Sequence, residues 1–363
     1  MSIVLFIIIL AALVFVHELG HFLAAKSGGI RVDEFGLGFP PRAIGKKIGE
    51  TIYSLNWIPF GGFVKIFGEN PDAESIDGPD KARSFVHKNP FIKIWVLVAG
   101  VSFNIIFAWI LFTVGFASGF PAPVGYVEGV NVKDASLTIT QVLPDSPAHT
   151  AGLETGDRIT ALYRNGTTLE NPSVEEAQAF IAGEGEEPFT AFVKRGDAHE
   201  TVTITPKSGL IENKVAIGIS MDTVGILQLP IHRAAWEAAK TTGAILKAVT
   251  VGLFTFIKDA FTGHSDFGQV TGPIGIVGLV GSASQLGWVY VLSFTAFISL
   301  NLAVINILPF PALDGGRVLF IIIESIKGRQ IKPSIANTVN SVGFVLLLIL
   351  MAVVTLHDVI KLF

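Results

Sequence analysis

One continuous apolar run extends from Ile3 to about Ala25, and His17-Glu18-Leu19-Gly20-His21 lies inside it. A run of about 20 apolar residues is what a helix needs to cross a hydrocarbon core. Two histidines four residues apart on a helix sit one turn above each other on one face, so both imidazoles can bind one cation. Glu18 follows His17 round the helix and can reach a water at such a metal, taking its proton as general base. In a soluble metal hydrolase this motif rides on an amphipathic helix. Here its neighbours are Leu10 to Val16 on one side and Phe22, Leu23, Ala24 and Ala25 on the other, which suits a bilayer. Three ionisable groups in five residues are costly at membrane depth and mark function there. The competing reading is a spanning helix whose histidines and glutamate serve packing or a proton path.

Half of the 363 residues are hydrophobic and only 15% are charged, with the apolar residues in blocks, which points to a multispanning membrane protein. There is no cysteine, so zinc here would be held by nitrogen and oxygen alone. A net charge of −4 without a dense basic tract leaves no electrostatic footprint for nucleic acid. A signal peptide carries its positive charge ahead of the apolar run, whereas the first basic residue is Lys26, after it. The first segment is therefore expected to be retained, with the N-terminus outside.

Four segments are expected to span the membrane: about 3–25, 92–118, 288–312 with a polar continuation to about 325, and 341–360. Segment 26–91 carries nine Lys and Arg residues, and the link 326–340 carries Lys327, Arg329 and Lys332. The positive-inside rule makes both loops cytoplasmic, with both termini outside. Residues 119–287 then form one extracytoplasmic block. Its part 125–222 reads as a small, mainly β domain, with alternating strands such as 137–142 and 201–204 broken by Gly, Pro and Asn turns. Part 231–287 mixes Trp236, Phe254, Phe256 and Phe261 with Lys240, Lys247, Lys258 and Asp259, as helices lying in the interface do. A fifth span over about 244–261 is the competing reading. It would hold two lysines and break the charge-based topology.

Segment 33–70 is apolar, strand-like and glycine-rich around Phe35 to Pro41 and Ile58 to Ile66. Non-helical backbone sits at membrane depth only when buried in protein or lining a wet cavity. A re-entrant β-hairpin beside the metal site is expected, with Gly61, Gly62 and Phe63 at an edge that could hold an extended substrate strand by β-addition.

Catalytic zinc takes three protein ligands and one water, so another Asp, Glu or His must come from a distant segment. Asp314 is the best candidate. It follows an apolar span that Pro309 and Pro311 would break, and Gly315 and Gly316 beside it permit close backbone approach. An ordinary helix-end turn is the plainer reading of that string. Glu324 lies nearer the basic cytoplasmic link and Asp358 near the end of the last helix, so both can be solvated. His87, His149, His199, His232, His264 and His357 stand singly, outside ligand-like spacing.

His17-Glu18-Leu19-Gly20-His21, the Gly36 to Phe39 and Pro59 to Lys65 strings, and Asn306-x-x-Pro309-x-Pro311-x-Leu313-Asp314-Gly315-Gly316 occur together in this order. On that combination the chain resembles the site-2 protease family of intramembrane zinc metalloproteases, most closely the regulator of sigma-E protease group. The resemblance implies a polytopic α-helical membrane protein of about four transmembrane helices, with a membrane re-entrant β-hairpin. It implies His17, His21 and Asp314 as zinc ligands, Glu18 as base, and Asn306 and Pro309 against unwound substrate. Ser146-Pro147-Ala148 and Ala151 to Ile159 resemble an extracytoplasmic PDZ domain, for which there is room for one; 271–276 also matches a family stretch. The implied substrates are single-span membrane proteins of the anti-sigma factor or signal-peptide kind, cleaved in the bacterial inner membrane. A catalytically idle membrane adaptor that binds peptide ends is the rival reading, and an intact ligand set with its base argues against it. A metal transporter would need more intramembrane carboxylates.

Overall fold

The computed structural model describes residues 2–70, 72–183, 185–196, 198–211, 214–262, 271–329 and 331–360. The chain divides into two compact units, Met1–Val114 with Ala235–Phe363, and Gly115–Ala234.

The first unit opens with helix α1 (Ser2–Ser27), which is apolar all round and buries Ile9, Leu13, His17, Gly20, His21 and Ala24 along one face. Ile3, Val4, Ile8, Phe15 and Leu23 remain exposed on it. Strands β1 (Val32–Ile48) and β2 (Thr51–Ile66) follow. They are joined by a two-residue turn, Gly49-Glu50, with Gly49 at φ +64°. Each strand folds back on the other, so that Phe35 pairs with both Val64 and Tyr53, and Tyr53 also pairs with Lys46. The expected hairpin is thus a four-pass sheet in the order 62–66, 32–37, 51–56, 42–48, with the 62–66 pass at an edge. Glu50 at the turn accepts from Lys26 Nζ at 2.5 Å and from Arg83, and these cations hold its carboxyl below the usual glutamate range. Short helix α2 (Ala73–Asp77) has Asp72 as N-cap, its carboxylate accepting from Ser75 N at 2.8 Å.

Helix α3 (Pro90–Ser118) packs on α1 at backbone distance, because a Cβ on Gly20 would stand 2.5 Å from Ala99 O.

The second unit holds β3 (Phe120–Pro123), β4 (Lys133–Val142), α4 (Pro147–Thr150), β5 (Arg158–Arg164), β6 (Thr167–Glu170), α5 (Val174–Ala182), β7 (Phe189–Arg195), β8 (Ala198–Ile204), β9 (Lys207–Ile211), β10 (Lys214–Ala216) and β11 (Ile219–Leu227). Its main sheet runs β3-β11-β4-β5-β7-β8, with β6 on β5 and β9–β10 as a separate hairpin. Leu137, Ile139, Leu153, Ile159, Leu162 and Phe189 are among its core residues. Buried Asp157 accepts from Arg195 Nε at 2.7 Å and from Glu154 N at 2.9 Å. The unit is wider than the 125–222 read from the sequence, because β3 and the end of β11 close one edge of the sheet.

Helix α6 (Ile231–Thr262) is one continuous element, where several interfacial helices were expected. Gly243 and Gly252 lie inside it without interrupting it. Helices α7 (Pro273–Leu286), α8 (Trp288–Ile307), α9 (Asp314–Lys327) and α10 (Pro333–Ile360) complete the first unit. Five described helices, α1, α3, α6, α8 and α10, are long and apolar enough to cross a membrane. α6 is the least apolar of them, with a mean hydropathy of 1.3 over its best window against 1.9 to 2.7 for the others. Along α10, Val342, Phe344, Val345, Leu346, Ile349 and Val353 are all exposed, a face that water would not tolerate and lipid does.

Candidate metal centre

α1 supplies His17 and His21 on its buried face, with the two Nε2 atoms 3.2 Å apart. Asp314 comes from the far end of the chain. α8 stops at Ile307, the six residues Leu308 to Leu313 run as non-helical backbone, and Asp314 opens α9. This break is sterically exacting: Ala312 takes φ +74°, and a Cβ on Gly315 would overlap the carbonyl oxygens of Ile307 and Leu308. The outcome is a carboxylate whose Oδ2 lies 3.1 Å from His17 Nε2 and 3.4 Å from His21 Nε2. The three donor groups fall within 4.8 Å of one another.

These residues fit zinc. Asp314 Oδ2 is buried without a hydrogen-bond partner in bonding geometry although it lies 3.1 and 3.4 Å from the two Nε2 atoms, themselves 3.2 Å apart, so all three atoms face one common point. Two nitrogens and one carboxylate oxygen form a ligand set for catalytic zinc with a fourth position left for water. Glu18 lies beside them, within reach of the backbone N–H of Val64 on the 62–66 edge. A Cβ added to Gly62 would stand 3.6 Å from Glu18 Cγ, so that edge runs past the base. Gly61 is at φ +98°, packed under the Phe39 ring.

Asn306 lies in the last turn of α8, half-buried, and its side chain makes no hydrogen bond among the described residues. Pro309 is exposed in the break. Arg317, one turn beyond Asp314, pairs with Glu69 and lines a cavity of about 130 Å³ whose walls mix polar Lys93, Glu324 and Asn340 with apolar Phe85, Leu97 and Phe320.

The competing acids go elsewhere. Glu324 Oε1 accepts from Ile331 N at 2.9 Å. Asp358 is not solvated as the sequence suggested; it is buried and accepts from Gly272 N and Gly275 N, holding the start of α7. His87 Nε2 meets Ile76 O at 2.9 Å, and His264 lies outside the described residues. Sequence reasoning placed α3 as a span but missed that its Val96 O and Asn104 contact the two histidines. The signal was an apolar helix with one asparagine. It also missed a groove of about 820 Å³ in the second unit, between α5 and the stretch Val215 to Met221. Gly36 to Phe39 lies in β1.

A buried two-histidine, one-carboxylate cluster with an adjoining glutamate, its histidines on a helix long and apolar enough to cross a membrane, is the arrangement of an intramembrane metalloprotease. Residues 5–350 match Peptidase family M50, and the chain belongs to that family. It is 34% identical over 365 residues to a Clostridium perfringens protein named for zinc metalloprotease activity, covering 99% of each chain. It is 27% identical to the regulator of sigma-W protease RasP of Bacillus subtilis, covering 100% of this chain and 99% of that one. Zinc metalloprotease RasP of Geobacillus kaustophilus is also 27% identical, with 100% and 98% covered. A solved PDZ domain of an SdrC-like protein from Listeria monocytogenes matches 25% of this chain at 25% identity, with a TM-score of 0.21. The protein is thus a membrane zinc metalloprotease of the site-2 type.

Proposed function

We propose that this centre cleaves peptide bonds within the membrane segments of single-span proteins, anti-sigma factors and signal-peptide remnants being the substrate classes. In this reading His17, His21 and Asp314 hold the zinc. Bound zinc supplies a Lewis acid for the scissile carbonyl and makes water acidic enough to lose a proton near neutral pH. Glu18 takes that proton and delivers it to the leaving amine. A helical substrate hides its amides in i to i−4 bonds and has to unwind first. The 62–66 edge, with Gly61, Gly62 and Phe63, receives the extended strand by β-addition, while Asn306 and Pro309 meet it from the broken helix. The bacterial inner membrane is the site of action. Residues 26–91 and 326–340 face the cytoplasm, the second unit and both termini face outside, and α6 lies in the interface.

The observation that carries this reading is the convergence of His17, His21 and Asp314 beside Glu18 and the 62–66 strand edge. The test is co-expression with a tagged single-span substrate, followed by purification of the protease. Glu18→Gln should lower cleavage by about 100-fold or more while leaving zinc bound, because a base is lost and no ligand is. Retained cleavage by the purified variant would overturn the assignment.

A further inference from the structure

Two imidazoles can hold one metal only if both turn a lone pair toward it, and one face of α3 bears on this. His21 Nδ1 lies 2.8 Å from Val96 O. A carbonyl only accepts, so Nδ1 carries the hydrogen and Nε2 keeps its lone pair. One helical turn on is Gly100, where a Cβ would overlap His21 Nε2 and stand 2.9 Å from His17 Cε1. One further turn on is Asn104, fully buried, with an amide atom 3.3 Å from His17 Nδ1. Val96, Gly100 and Asn104 are spaced i, i+4, i+8, the same ladder that puts His17 over His21 on α1.

As placed, Asn104 points Nδ2 at His17 and its Oδ1 has no hydrogen-bond partner. A donor there would force the hydrogen of a neutral His17 onto Nε2, where the metal has to bind. The two ends of an amide have the same shape and are told apart by their partners, and no donor fixes Oδ1 where it stands. The Asn104 backbone carbonyl is separately held by Ser299 Oγ at 2.8 Å, so the helix contact to α8 does not need the side chain.

We propose that Asn104 is a positioning residue of the metal centre: turned half a revolution, its Oδ1 accepts the His17 Nδ1 hydrogen as Val96 O does for His21, so that one face of α3 sets both imidazole tautomers. This rests on His17 and His21 being ligands. A metal-bound histidine whose outer hydrogen-bond partner is removed loses 10- to 100-fold in metal affinity, as an order of magnitude.

The experiment is a zinc competition titration against a chromophoric chelator on purified full-length Asn104→Leu, Asn104→Ala, Asn104→Asp and His17→Ala, with the melting temperature of each zinc-free form. Asn104→Leu and Asn104→Ala should bind zinc about 10- to 100-fold more weakly. Asn104→Asp still accepts a hydrogen and should stay within about threefold of the wild type, a rescue that a packing role would not produce. Wild-type zinc affinity in the Leu and Ala variants, or equal loss in Asp, overturns the proposal. If His17→Ala binds zinc normally, the ligand assignment itself is wrong. If His17→Ala loses zinc while Asn104→Leu does not, only the positioning role fails.

Discussion

In the proposed centre Asp314 is the residue on which most depends, because among the three candidate ligands it alone comes from outside α1. Asp314→Ala should lower zinc content and proteolysis together, by at least the 10- to 100-fold typical of a weaker, outer-partner loss. Full zinc occupancy by metal analysis of the purified variant would remove it from the ligand set. Gly100 acts by what it lacks. Gly100→Ala places a methyl where the His21 ring stands, so zinc affinity should fall even though alanine favours the helix.

At the scale of the element, the break between α8 and α9 frees backbone groups and brings Asp314 inward. Its glycines permit the fold: Gly315→Ala would put Cβ onto the Ile307 carbonyl, and a cost of about 1–3 kcal/mol, read as a lower melting temperature, should follow. Asn306 bears on substrate in the proposed reading, and its side chain, which makes no hydrogen bond among the described residues, is available for that contact. A hydrogen bond from it to unwound substrate would contribute about 1 kcal/mol net. Asn306→Leu should therefore reduce cleavage of strongly helical substrates most and spare those with Gly or Pro near the cleaved bond; equal losses on both would point to a helix-capping role. At the sheet's far turn, pairing with Lys26 and Arg83 lowers the Glu50 carboxyl. Its contribution is in place above the ordinary glutamate range and is lost as pH falls through the lowered value.

For the whole molecule, the second unit is β-rich and holds none of the metal-site residues. We expect it to filter substrates by size, without part in the chemistry. Replacing 120–227 by a flexible linker should preserve or broaden cleavage of substrates that lack bulky outer domains; a variant that folds, holds zinc and cleaves nothing would refute the filter. Topology is separately open to measurement. With α6 on the interface the chain crosses four times, so a reporter fused at the C-terminus should be active only outside the cytoplasm. A cytoplasmic reporter there would make α6 a fifth span.

Much of this was legible in the residues because it depends on local order. The four-residue spacing of His17 and His21 needs only a helix to make a site, and long apolar runs need only a bilayer to become spans. The ends of α1 and α3 fall within two residues of the boundaries read from composition. Asp314 could be chosen as the best candidate, yet the placement of its carboxylate 3.1 Å from His17 depends on a reversal at Ala312 and on backbone packing at Gly315, which no pattern encodes. The strand doubling of β1 and β2 was hidden for a similar reason. A period-two pattern says which face a residue takes, but not that Phe35 pairs on both sides. Val96, Gly100 and Asn104 are the clearest case: in the chain they are unremarkable members of an apolar helix, and only the close approach of α3 to α1 brings a carbonyl, a vacant Cβ position and an amide to two histidines some 80 residues away.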